Sequence, residues 1–115
     1  MFFTYTQNNS GGRFRYDNAR GITHYVIIEA PDADTANNIA RKIGLYFDGC
    51  KRGIDCECCG DRWYEQYGKG DEVPSMYGEP VEDFISRHST KWNNFTNANG
   101  HVVIHRANGR VNWLS

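Results

Sequence analysis

Apolar and polar positions alternate through Phe2-Phe3-Thr4-Tyr5-Thr6 and again through Arg13-Phe14-Arg15-Tyr16, with the polar, glycine-bearing stretch Gln7 to Gly12 between them. This predicts a β-hairpin. From Ile22 to Glu29 the run Tyr25-Val26-Ile27-Ile28 is apolar on both faces of an extended chain, which suits a central strand covered by a helix. That helix follows, with Pro31-Asp32-Ala33-Asp34 as its N-terminus and Ala36, Ile39, Ala40, Ile43 and Phe47 recurring at three- and four-residue spacing. Gly44 or Gly49 is placed to end it.

The periodicity then lapses. Residues 48–79 are rich in glycine and acids and predict one long loop region, holding at most a short strand at Arg62-Trp63-Tyr64. A second, shorter helix is expected from Pro80 to about His88, with Val81, Phe84 and Ile85 on one face and Glu79, Glu82 and Asp83 as acids around its first turn. His101-Val102-Val103-Ile104-His105-Arg106, the turn Ala107-Asn108-Gly109 and Arg110-Val111-Asn112-Trp113-Leu114 predict a closing hairpin. The expected architecture is a small single α+β domain over residues 1–115: an antiparallel sheet of hairpins packed by one main helix, with a long Cys-containing loop.

Composition refines this picture in two ways. Leu, Ile, Val and Phe together make only 22 of the 115 residues, but seven Tyr and three Trp add large buried areas, so a modest, aromatic-rich core is expected. The formal net charge of −1 conceals blocks of +2 over residues 1–28, −7 over 29–83 and +4 over 84–115. A chain of this length excludes a multi-domain enzyme. No stretch approaches the roughly 20 apolar residues of a membrane span and no leader pattern opens the chain, so a cytosolic protein with reduced cysteines is expected.

Those cysteines are the most informative local feature. Cys50, Cys56, Cys58 and Cys59 are spaced C-x5-C-x-C-C, and Cys56-Glu57-Cys58-Cys59-Gly60 contains the C-x2-C-G form of a zinc knuckle. Cys50 is a candidate third ligand; the fourth is Cys58 or one of His24, His88, His101 and His105. The competing reading is four reduced thiols packed under a loop. A catalytic thiol is opposed by the neighbouring acids Asp55, Glu57 and Asp61.

Other candidates carry less. His101 and His105 share one strand face and could bind metal or phosphate, although two solvent-facing hairpin residues account for them as well. Asp32 and Asp34 fit the helix N-terminus better than a metal site. The acid-free segment from Phe84 onward holds Arg87, His88, Lys91, Arg106 and Arg110 among Trp92, Phe95 and Trp113, a mixture able to hold phosphate and stack on bases. No nucleophile elbow, phosphate-cradling loop, dinucleotide fingerprint or zinc-protease motif is present, and nothing in the sequence supports an enzyme.

Gly44 to Cys50, Asp55 to Tyr64, the opening Met1 to Gly12 and His24 to Ala30 together resemble small uncharacterised proteins encoded by tailed bacteriophages, over about the first two thirds of the chain. The resemblance implies a viral product working in the host cytoplasm and brings no catalytic residues with it. The expected function is that of a non-enzymatic accessory protein that binds and inhibits a host macromolecule, such as a defence or nucleic-acid-handling complex, with Asp55, Glu57, Asp61, Trp63, Tyr64 and Tyr67 as its contact surface, flanked by Tyr77. Two alternatives stay open: a binder that sequesters a phosphorylated nucleotide through Arg87, His88, Arg106 and Arg110, and a zinc-stabilised nucleic-acid-binding protein.

Overall fold

A computed structural model describes residues 1–88 and 100–114. In chain order the elements are β1 (Phe2–Thr6), β2 (Tyr25–Glu29), α1 (Ala33–Ile43), β3 (Ser75–Met76), β4 (Glu79–Pro80), α2 (Val81–His88), β5 (Val102–His105) and β6 (Val111–Leu114). The α+β fold is as expected. Strands β1, β2, β5 and β6 form one sheet in the order β1-β2-β5-β6, and β3 and β4 pair as a separate two-stranded ribbon.

The four-stranded sheet is mixed rather than built only of hairpins. β1 runs antiparallel to β2 with Phe3 opposite Ile28, β2 runs parallel to β5 with Val26 opposite Val103, and β5 and β6 form the expected closing hairpin with Val103 opposite Trp113. The two-sided apolar run of β2 is thereby explained, because it lies between β1 and β5 with a hydrophobic layer on each face. On one face Phe3, Tyr5, Val26, Ile28 and Val103 pack under Ala33, Ala36 and Ala40 of α1 and under Leu45, Phe47 and Trp63. On the other, Phe2, Tyr25, Ile27, Val102 and Ile104 meet Met76, Val81 and Phe84. Each helix therefore covers its own face.

α1 begins where the sequence places it. Asp32 is its N-cap, accepting a 2.7 Å hydrogen bond from the Thr35 backbone N–H, and Gly44 ends it in the left-handed conformation. The acids Glu82 and Asp83 fall in the first turn of α2, and Glu79 lies just before it in β4.

Three expectations are corrected. Arg13 to Tyr16 is no strand and forms no hairpin with β1, because Gln7 takes up the backbone of Arg15 instead: its Oε1 accepts from Arg15 N–H at 2.6 Å and its Nε2 donates to Arg15 C=O at 2.9 Å. β1 is left to pair with β2. Arg62 to Tyr64 forms no strand, and the strands of the loop region lie further on, at β3 and β4. His101 and His105 do not face solvent: His101 is buried, and half-buried His105 places Nε2 2.7 Å from the Gly21 carbonyl oxygen. Among the described residues no helix is long and apolar enough to cross a membrane.

Candidate functional site

The loop after α1 is organised around one buried charge pair. Asp55 Oδ1 accepts a 2.7 Å hydrogen bond from Tyr46 Oη, its Oδ2 accepts from the Arg62 backbone N–H at 2.8 Å, and the Arg62 Nε lies 3.8 Å from Oδ1. The guanidinium also donates from Nη1 to Gln7 Oε1 and to the Arg13 carbonyl, and from Nη2 to the Ser10 carbonyl. Both side chains are almost wholly removed from water, so each charge needs these partners. Gly49 makes the arrangement possible, since a Cβ there would stand 1.8 Å from Asp55 Oδ2.

On this base the chain turns at Cys56. The backbone N–H groups of Cys59 and Gly60 both donate to the Cys56 carbonyl at 3.1 Å, and Gly60 takes a φ of 85°, the knuckle conformation its sequence position suggests. Asn8 Nδ2 donates to the carbonyls of Cys59 and Asp61, and Ser10 Oγ accepts from Cys56 N–H, so the turn is fastened to the segment that follows β1.

The turn brings three of the four candidate ligands together. The sulfurs of Cys56, Cys58 and Cys59 all lie within 4.8 Å of one another, close enough to hold a metal ion, with Cys56 and Cys58 at 2.7 Å. Hydrogen bonding from the Cys58 thiol and from nearby backbone lowers the Cys56 pKa, while the same contact raises that of Cys58, so Cys56 is the thiol of the pair that ionises first. Around a tetrahedral zinc ion thiolates sit about 3.8 Å apart, given Zn–S bonds of about 2.3 Å, and the exposed Cys58 side chain has room to open to that spacing.

Cys50 stands apart from this cluster. Its Sγ donates to the Cys56 carbonyl at 3.5 Å, its backbone N–H donates to Asp61 Oδ1 at 2.8 Å, and its partly buried position with the nearby carboxylate pushes the thiol up to about 11. It is a proton donor to the turn, not a member of the thiol group. Among the described residues no histidine joins that group either. Burial and the neighbouring His101 lower the His24 pKa to about 4, and the ring stacks on Tyr25 with Phe14 tilted against it.

The expected contact surface divides. Asp55 is the buried partner of Arg62, and Trp63 is packed into the core, so neither is presented to a macromolecule. Asp61 is half-buried with Oδ1 occupied by Cys50, which holds its carboxyl below the usual range. Glu57, Tyr64 and Tyr67 are exposed, as is Tyr77. The three tyrosines line a cavity of about 480 Å³ against Phe2, Thr4 and Thr6 of β1. Sequence reasoning missed the part played by β1 in this site. The only signal for it was the alternation that placed Thr4 and Thr6 between core residues.

The basic candidates do not assemble into one site among the described residues. Arg106 donates from Nε to Asn112 Oδ1 at 2.7 Å and lies over the Phe2 ring, while Arg110 is exposed at the β5–β6 turn. The side chains of Arg87 and His88, and all of Lys91, Trp92 and Phe95, lie outside the described residues.

Residues 1–114 match a family described as a domain of unknown function, DUF7296, and the chain belongs to that family. No curated protein and no solved structure matches the chain.

Proposed function

We propose that this protein is a small, non-enzymatic accessory protein of bacteriophage origin that works in the host cytoplasm by binding and inhibiting a host macromolecule. The observation that carries the reading is the surface at Tyr64, Tyr67 and Tyr77, which are 54%, 82% and 74% exposed around a cavity while Phe2, Phe3, Tyr5, Tyr25, Phe47, Trp63 and Phe84 are buried. Tyrosine is a favoured interface anchor because it supplies large area at small entropic cost. Three such rings left largely in water mark an interaction surface, and the acidic block around them suits a basic partner.

The thiol cluster has a supporting role in this reading. Cys56, Cys58 and Cys59 hold zinc, which fixes the loop beside the tyrosine surface, and a thiol or carboxylate from nearby, or water, completes the tetrahedron. Elemental analysis of the purified protein should find about one zinc per chain, lost in Cys56→Ser; protein free of zinc after purification with added metal removes this part of the reading.

Affinity capture from phage-infected host cells tests the function itself. The wild type should retain one defined host complex, Arg110→Ala should retain it equally, and a Tyr64→Ala/Tyr67→Ala double variant should lose it. Equal capture by the tyrosine variant overturns the reading. Loss of capture with Arg110→Ala, together with a thermal shift on adding phosphorylated nucleotides, points instead to the nucleotide-sequestering alternative.

A further inference from the structure

The cavity beneath the three tyrosines lies along a sheet edge that is closed at both ends and open in the middle. In β1 the odd-numbered residues direct their backbone groups at β2, as the flanking bonds Ala30 N–H to Met1 C=O and Gln7 N–H to His24 C=O fix the alternation. The even-numbered residues direct theirs outward. Phe2 exchanges 2.7 and 2.9 Å hydrogen bonds with Asp71, and Asn8 N–H donates to Arg62 C=O at 2.9 Å. Between these ties the segment 63–70 arches away, and the outward N–H and C=O groups of Thr4 and Thr6 meet no partner among the described residues. Both threonines are half-buried and line the cavity.

We infer that this gap is a β-augmentation site that takes a short, extended, basic peptide segment of the partner, paired edge-on with Thr4 and Thr6. The inference rests on the binding function proposed above and names the site and the chemistry it reads. Two outward residues offer four ladder hydrogen bonds, and the ties at Phe2 and Asn8 limit the added strand to three or four residues before it must turn away. A loop tip or a chain end meets that limit.

Charge and aromatic rim say what flanks the segment. Glu65 is paired with Arg41 at 3.0 Å, which leaves Asp71 and Glu72 against Lys69 in residues 64–73, and Asp71 lines the cavity itself. Lysine or arginine side chains at either end of the segment would meet these carboxylates and the faces of Tyr64, Tyr67 and Tyr77. Tyr77 is held for this purpose at some conformational cost. With Gly78 it forms the tip of the β3–β4 ribbon, and both residues have positive φ, 53° and 82°, a pair of positions where Asn-Gly is the low-energy choice.

The test is a fluorescence-polarisation titration of the whole protein with a labelled, end-capped Lys-Val-Thr-Val-Arg peptide. Three comparisons accompany it: the peptide N-methylated at alternate backbone positions, a Glu-Val-Thr-Val-Glu analogue, and Thr6→Pro protein. Thr6→Pro removes one outward donor and leaves the β2 ladder intact, and proline is tolerated on an edge strand. Saturable binding of the basic peptide is expected, weaker by roughly tenfold or more in each comparison, the equivalent of one lost hydrogen bond or ion pair.

Should Thr6→Pro fail to fold, as circular dichroism would reveal, the N-methylated peptide carries the same test. Equal affinity for the N-methylated peptide, preference for the acidic analogue, or absence of binding at millimolar peptide overturns the inference. So does a concentration-dependent dimer abolished by Thr6→Pro, which would assign the edge to a second copy of the chain. Host capture that persists when peptide binding is absent sinks this inference alone, whereas loss of capture with peptide binding intact sinks the proposed function.

Discussion

The connection between α1 and β3 has two halves, both glycine-bearing and acidic, of opposite construction. Residues 44–62 turn one charge pair inward: Asp55 and Arg62 are buried against each other and against Tyr46, Gln7, Ser10 and Arg13, while Asp48, Lys51, Arg52 and Glu57 stay exposed. Residues 63–74 bury Trp63 but turn Tyr64 and Tyr67 outward, and are held at their ends by the pairing with Asn8 and Phe2 and in the middle by Asn37, whose Oδ1 accepts from Gln66 N–H and whose Nδ2 donates to the Gln66 carbonyl. A glycine-rich, acidic loop can therefore be a rigid platform or an open arch. What decides is where its charged groups find partners.

The largest effect should come from breaking the platform. Arg62→Met leaves Asp55 buried without its cation and strips the Arg13 and Ser10 carbonyls of their donor, and should cost about 3–5 kcal/mol in chemical denaturation. A loss under about 1 kcal/mol would erase the distinction between the halves. Asp55→Asn should cost less, because an amide can still accept from Tyr46 or Arg62.

Acid should reach the platform next, through the floor beneath it. His24 has a folded pKa of about 4 against 6.5 for the free side chain, so the folded state favours the neutral ring. Its contribution is complete above pH 6.5 and is lost as pH falls from 6.5 towards 4, by about 3 kcal/mol at most. Gln7 N–H donates to the His24 carbonyl, and the Gln7 side chain receives Arg62, so hydrogen exchange at pH 5 should quicken in residues 55–62 before 64–70. His24→Phe keeps the stack on Tyr25 and should flatten the stability profile over that window. An unchanged slope would remove His24 as its cause.

In the arch, Asn37→Ala strands the Tyr5 hydroxyl and both backbone groups of Gln66, and should cost about 1–3 kcal/mol while leaving the Cys region protected from exchange. Opening of the Cys region in this variant would mean that the halves are one cooperative unit.

Legibility in the sequence follows the range of the interaction. α1 and the β5–β6 hairpin are local, carried by spacing, a capping Asp32 and an Asn-Gly turn, and β2 is marked by its two-sided run; all were readable. The Arg13–Tyr16 strand was misread because alternation is a local signal, and the Gln7 side chain overrides it. Asp55 and Trp63 looked like surface residues because the loop around them is polar. Their burial depends on Arg62 and on α1, and no local pattern encodes a partner so placed. The three-thiol group was legible as a knuckle, but the choice of Cys58 over Cys50 was not, since it depends on Asp61 drawing Cys50 away.

The smallest effect on stability should fall at Tyr77. Asn in place of Tyr77 relieves a left-handed φ that costs a bulky residue about 1 kcal/mol. It also removes ring contacts with Tyr25 and Phe84, at 6.5 and 5.7 Å between centroids, worth about 0.5–1.5 kcal/mol. The two terms oppose each other, so thermal denaturation of Tyr77→Asn should match wild type within about 1 kcal/mol. Binding should not match, because one of the rings that line the cavity with Thr4 and Thr6 is gone. A variant equally stable and equally able to bind would mean that the tyrosine is kept for the ribbon's packing, and the exposed aromatic surface would then rest on Tyr64 and Tyr67 of the arch.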